Sequence, residues 1–323
     1  ALSPRKDDGS VDTTHLNAAG AKLFGEIVAD ELRRAVPELE SKITVKPPAD
    51  GSPVDPGLGH AAVVLREFII PRGWPTLSCH ASTICEAAPG RLVAAWFGGT
   101  AERNPDVEIW VSRHDGRRWG DPEMVITGVQ ADGHREPCWN PVLFKGRPDG
   151  PLFLYAKIGP TPRDWWGVAC ESGDGAATFG PVRRLSDGVI GPVKNKPLVL
   201  RDGTVIAGAS TEHDGWRVHF ERSEDGGRTF VAGKPVNVAP GTKGEPRPES
   251  ATSDRLISAI QPSVLDLGGG RLLAVGRTTQ GRIFEIESGD GGRTWGEMRL
   301  GSLPIPSSGT DAVTLADGRH LIV

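Results

Sequence analysis

Beyond residue 63, short apolar runs alternate with tight polar turns, the pattern of many brief strands. Gly90, Gly150, Gly203, Gly270 and Gly318 each close a turn between two such runs, in APGR, PDGP, RDGT, GGGR and ADGR. The runs before these turns superpose as five copies: His80-Ala-Ser-Thr-Ile, Asn140-Pro-Val-Leu-Phe, Lys196-Pro-Leu-Val-Leu, Gln261-Pro-Ser-Val-Leu and Asp311-Ala-Val-Thr-Leu. A second repeat overlies the first. Ser223–Phe230 and Ser288–Trp295 both fit S-x-D-x-G-x-T-[WF], Ser172–Phe179 fits with one lapse, and Ser112–Trp119 is a degenerate copy. The closing aromatics lie 60, 51 and 65 residues apart, the length of one four-stranded propeller blade.

Each blade then contributes strands A to D, with the five superposed runs as inner strands A. In the repeated turn, the aspartate accepts backbone N–H bonds, glycine takes a conformation other residues avoid, and the aromatic packs between blades. Residues 61–323 are therefore expected to form an all-β propeller, truncated to four blades and part of a fifth. Ala62–Ile70 is expected to supply an outer strand that closes the ring.

Upstream the period changes. Leu23, Phe24, Ile27, Val28, Leu32, Ala35 and Val36 make the apolar stripe of a helix over residues 18–36, with Asn17 as its cap. Prolines at 37, 47, 48, 53 and 56 mark residues 37–60 as a linker.

Bulk composition removes several classes. A net charge of −4 over 323 residues argues against a nucleic-acid partner, and no apolar run reaches the roughly 18 residues of a membrane span. Four cysteines are too few for a disulfide scaffold of this size. Free thiols are expected, although Cys79 and Cys138 precede equivalent ring positions and a bridge between them is conceivable. No dinucleotide fingerprint, P-loop or metal constellation is present, so no cofactor or metal is expected; Glu212-His213-Asp214 is too loose a loop set. The chain starts at Ala1 and stops within the apolar run HLIV, so a longer parent protein is expected.

Strand alternation puts the D–A and B–C loops on one face of the ring, together with His80, Asn140, Lys196, Gln261 and Asp311. The same face gathers Arg103, Lys157, Arg163, Lys194, Arg277 and Arg282, with Trp139, Trp165, Trp166 and Trp216 beside them and His213 on a B–C loop. Arginine grips a carboxylate by a two-pronged fork and tryptophan stacks on sugar rings, so the expected partner is an acidic oligosaccharide or glycan. Oligomeric state is left open.

With its repeats at blade spacing, 63–323 resembles the sialidase (neuraminidase) superfamily, especially the divergent bacterial branch with Asp-box (BNR) repeats. The resemblance implies a six-bladed propeller and an exo-glycosidase that removes a terminal sialic-acid-like sugar. It also implies an arginine triad on the carboxylate, an aspartate acid/base in a first-blade loop, and a tyrosine nucleophile charged by a glutamate. Three of these roles are altered here: His80 stands for the first arginine, Gln261 for the glutamate and Asp311 for the tyrosine. Asp106 or Glu102 is the candidate acid/base, and Arg277 a retained triad arginine. Asp12-Thr-Thr-His15 and its helix resemble the closing motif of SGNH-type esterases, a pair stranded without its serine. A secreted or periplasmic setting is expected for the full-length protein.

Two other functions fit the same residues. A polysaccharide lyase acting on a uronate would use His80, His134 or His213 as base, Tyr155 as acid, and Arg163 or Lys196 on the carboxylate. A glycan-binding propeller without catalysis would need none of the altered roles.

Overall fold

The computed structural model describes residues 68–70, 74–237, 256–305, 307–315 and 318–323. The chain divides into two units, Ala1–Ile69 and Ile70–Val323. The expected helix over 18–36, the Asp12/His15 pair, the linker and nearly all of the expected strand 62–70 lie outside the described residues.

The second unit is built from four-stranded antiparallel sheets, each meandering outward in chain order. The first blade holds β1 (Ser78–Ala88), β2 (Arg91–Gly99), β3 (Glu108–His114) and β4 (Glu123–Ile126). The second holds β5 (Cys138–Lys145), β6 (Leu152–Ile158), β7 (Trp166–Ser172) and β8 (Arg183–Arg184). The third holds β9 (Leu198–Val199), β10 (Val205–Thr211), β11 (Arg217–Ser223) and β12 (Val231–Ala232). The fourth holds β13 (Ala259–Gly268), β14 (Arg271–Thr278), β15 (Arg282–Ser288) and β16 (Arg299–Pro304). A hairpin of β17 (Ala312–Thr314) and β18 (His320–Ile322) begins the fifth.

The core lies between blades. Phe97, Ile109 and Val111 of the first blade pack with Leu143, Leu154 and Val168 of the second, and equivalent clusters fill the next two seams. A middle strand is thus covered on both sides, so β6 is buried at every position and its sequence LFLYAKI shows no alternation. The outer strand β8 is two exposed arginines, a charged edge that resists pairing with another chain.

The repeated turn takes the same form three times. Asp174, Asp225 and Asp290 each accept from the amide and hydroxyl of the threonine four residues on, and from the hydroxyl of the serine two residues before. That fixed turn docks on the preceding blade. Arg113 donates to the Ala176 carbonyl, Tyr155 to Gly227 and Arg222 to Gly291, while Trp295 stacks on Phe220 with centroids 3.7 Å apart. All four cysteines are free thiols. Cys138 is buried, its thiol pointing at the Ile126 carbonyl, and Cys79 is exposed, so the conceivable bridge between them is not formed.

One expectation about register is corrected. Each long inner strand carries a bulge where two residues face one, between His80 and Thr83, Trp139 and Val142, and Ile260 and Ser263. Its first residue has positive φ: Ala81 at 51°, Asn140 at 40° and Gln261 at 56°. Lys194, with φ of 72°, is the counterpart in the third blade, nine residues ahead of the turn glycine as Ala81 and Gln261 are. Asn140 and Gln261 are equivalent as expected. His80 stands one residue too early, and Lys196 and Asp311 two residues too late. The cause is the bulge itself, an inserted residue that apolar pattern matching steps over.

Candidate functional site

The bulges aim side chains by backbone hand. A residue at positive φ turns its Cβ away from the pleat, and here the turned residues are a short alanine, an asparagine, a lysine and a glutamine. Lys194 Nζ donates to Asn195 Oδ1 at 3.0 Å and to the Thr310 carbonyl at 2.9 Å. A Cβ at position 309 would lie 2.7 Å from Lys194 Cε, so Gly309 is what lets the lysine cross to the fifth blade. Burial lowers the Lys194 pKa against the pull of Asp311, with Arg277 and Lys196 pushing the same way as burial.

Asn195 is almost wholly buried and joins blades three and four. Its Nδ2 donates to the Gln261 carbonyl at 2.9 Å and to Ser263 Oγ at 2.8 Å. Ser263 Oγ in turn donates to Asp311 Oδ1 at 3.0 Å and accepts from the Ala312 amide. The sequence singled out neither Asn195 nor Ser263, because a single short buried polar residue carries no pattern of its own.

Arg277, at the end of β14, is half-buried. Its guanidinium lies 4.9 Å from the centroid of Trp216 and its Nη1 donates to Gln261 Oε1 at 3.4 Å. Its Nε is buried and has no hydrogen-bond partner among the described residues. Glu212 lies half-buried on the B–C loop of the third blade, within the electrostatic reach of Arg277, Arg163 and Arg103. Burial raises the Glu212 pKa despite those three cations, and burial lowers that of Arg277 despite Glu212. Residues of three B–C loops and one strand end thus influence one another electrostatically. The sequence marked Glu212 only as a member of the polar third-blade loop and of a loose metal set; its half-burial within reach of three cations is not visible there.

The other expected residues divide sharply. Asp106 accepts from the amide and hydroxyl of Thr100 at 3.0 and 2.9 Å, so its carboxylate stitches its own loop. Glu102, Arg103 and Arg163 are exposed on loops, and Lys196, His213 and Asp311 are exposed on the same face. His80 stacks on Phe97 with centroids 5.6 Å apart, in the register position that Trp139 and Ile260 fill in the other blades. Trp166 is half-buried and carries Arg184 5.0 Å above its ring. Arg282 is exposed, donating to the Gly301 carbonyl at 3.4 Å.

Two residues do not reach the face. Tyr155 is fully buried, its hydroxyl on the Gly227 carbonyl of the next blade's repeated turn, at the opposite end of the strands; desolvation raises its pKa. It cannot serve as an acid for a bound sugar. Lys157 is also fully buried, its ammonium donating to the Pro192 carbonyl, because β6 is covered by blades on both sides. Among the described residues no group of three His, Cys, Asp or Glu side chains is placed to hold a metal ion, and no helix is long and apolar enough to cross a membrane.

Meandering four-stranded blades around an axis, with cationic loops gathered at one end, define a sialidase-like β-propeller. The chain belongs to the BNR repeat-like domain family, which matches residues 90–323. Among solved structures, the Hadza microbial sialidase Hz136 superposes with a TM-score of 0.61 at 14% identity, over 76% of this chain and 53% of that one. The intramolecular trans-sialidase from Ruminococcus gnavus, in complex with oseltamivir carboxylate, gives 0.56 at 11% identity over 76% of both chains. A protein of unknown function from Dyadobacter fermentans gives 0.57 at 17% identity, over 76% of this chain and 74% of that one. The chain thus spans about half the length of the first of these sialidases. At such identities the likeness establishes the fold. No curated protein sequence matches the chain.

Proposed function

We propose that the protein is a sialidase-like exo-glycosidase that removes a terminal acidic sugar from glycans, with Arg277 seating the sugar carboxylate. The observation that carries this is the state of Arg277: stacked on Trp216, held by Gln261, and left with a buried donor that no described protein group satisfies. A guanidinium so fixed offers a fork already oriented for a carboxylate. Arg163, Arg103 and Lys194 add positive charge around it, and the trans-sialidase with oseltamivir carboxylate is a relative of the same fold that takes a carboxylated ligand.

Asp311, fixed by Ser263 and by the Ala312 amide, is the proposed nucleophile or base. Glu102 is the proposed acid, since Asp106 is engaged by Thr100. A glycan-binding propeller without catalysis is the second reading, favoured by the uncharged amide of Gln261 beside Arg277. The lyase is disfavoured by the burial of Tyr155.

Incubating the full-length protein with sialyllactose and measuring free sialic acid tests the proposal. Release is expected, with Arg277→Ala lowering kcat/KM on the order of a hundredfold. Binding of the sialoside without release favours the second reading, and neither binding nor release overturns both.

A further inference from the structure

Three ionisable side chains that the proposed seat does not use lie in the seam between the second and third blades. Lys157 of β6 and Glu221 of β11 are fully buried, and His219 of β11 is almost so. Two of them bond the segment that joins these blades, and the third braces one of the two. One Glu221 oxygen accepts from the Ile190 amide and the other from the Gly191 amide, each at 2.9 Å, while His219 Nε2 lies 3.1 Å from the first. The Lys157 ammonium donates to the Pro192 carbonyl.

The segment runs close against the strands that clamp it. A Cβ at position 167 would lie 2.6 Å from the Ile190 carbonyl oxygen, so β7 admits the turn only with glycine there, and the Val193 amide then donates to the Gly208 carbonyl of β10 at 3.0 Å. Lys194 follows at once with positive φ, and Asn195 pins the chain beyond it to Gln261 and Ser263. Lys194 is thus bracketed by fixed backbone on both sides. Of the three N–H donors of its ammonium, two go to Asn195 and to the Thr310 carbonyl.

Stability alone does not call for charges in this seam. A buried ion pair can be replaced by well-packed apolar side chains at little loss. Apolar side chains cannot satisfy two amides and a carbonyl of consecutive residues, which is what Glu221 and Lys157 do here.

We infer that Glu221 and Lys157 are positioning residues for Lys194: by fixing residues 190–192 they set where its ammonium meets a ligand carboxylate. This rests on the proposal that the face takes a carboxylated sugar, with Lys194 among its cations. Neither Glu221 nor Lys157 can touch the sugar, because both are sealed between blades. Their effect on an acidic ligand passes through Lys194.

A double-mutant cycle tests this. N-acetylneuraminic acid and galacturonic acid are titrated calorimetrically into the full-length wild type, Glu221→Gln, Lys194→Met and the double variant, with urea unfolding to establish that each is folded. Glu221→Gln sets an NH2 donor against one of the two loop amides and is expected to weaken acidic-sugar binding on the order of tenfold. In the Lys194→Met background the same substitution is expected to change affinity by about twofold or less. Lys157→Met, which removes the donor to Pro192, goes through the same cycle and gives the answer where Glu221→Gln does not fold. Undiminished affinity in a folded variant, or an equal loss with and without Lys194, overturns this inference and leaves the proposed function standing. No binding of either acid by the wild type overturns both.

Discussion

Asn195, in the bend ahead of β9, and Ser263 of β13 are joined by a hydrogen bond of 2.8 Å. Each also bonds a second partner, Asn195 through the ammonium of Lys194 and Ser263 through the carboxylate of Asp311. A lysine and a carboxylate near the axis are thus held by one buried amide. Structural strength and site geometry share the same atoms.

Replacing Asn195 by alanine is therefore expected to act twice. It leaves the Gln261 carbonyl and Ser263 Oγ short of a buried donor, at a cost of about 1–3 kcal/mol, and it frees Lys194 from one of its two acceptors. Urea unfolding should show the first effect and a raised KM the second. Unchanged stability would mean that the seam does not depend on this amide.

Lys157 gives a prediction in pH. Burial pushes its pKa down to about 7 from 10.5, with Glu221 pulling the other way. Between those values the unfolded chain holds a proton that the folded chain has released, so stability rises as pH rises through the window. Lys157→Met should remove that rise. The buried thiols Cys138 and Cys170, with pKa values pushed up to about 12 from 9.0, give a slope of opposite sign at alkaline pH. The comparison therefore rests on the difference between variant and wild type, read as urea midpoints at about pH 7 and about pH 9. Parallel curves would count against a buried, titrating Lys157.

The repeated turns carry the acid limb. In Asp290 the hydroxyl and then the amide of Thr294 hold the carboxyl down to about 2 from 3.8, and in Asp174 the amide and hydroxyl of Thr178 do the same. The unfolded carboxyls take up protons first as pH falls, so the stability they contribute is present above about 3.8 and is lost as pH drops toward 2. Asp290→Asn should shallow the acid transition followed by tryptophan fluorescence. An unaltered transition would mean that this turn plays no part in acid unfolding.

The repeats made the architecture legible before any coordinate, because a blade is one unit of sequence copied at fixed spacing. Strand order, the face that gathers the B–C loops and the equivalence of Asn140 with Gln261 all followed from that copying. What stayed hidden depends on single residues rather than on periods. The bulge shifts His80, Lys196 and Asp311 from their expected level without altering the apolar pattern. The burial of Lys157 depends on a neighbouring blade far along the chain, and so does that of Tyr155. Glu212 became conspicuous only once Arg103, Arg163 and Arg277 stood around it.

The left-handed bulge residues make a row of interchangeable sockets. Ala81 fills the first with a single carbon, while Asn140, Lys194 and Gln261 fill the others with functional groups. Ala81 packs against the core between the first two blades, so a longer polar side chain there would have to leave that core. The functional groups at positions 140, 194 and 261 can therefore be exchanged one at a time, with the sheets beneath left untouched.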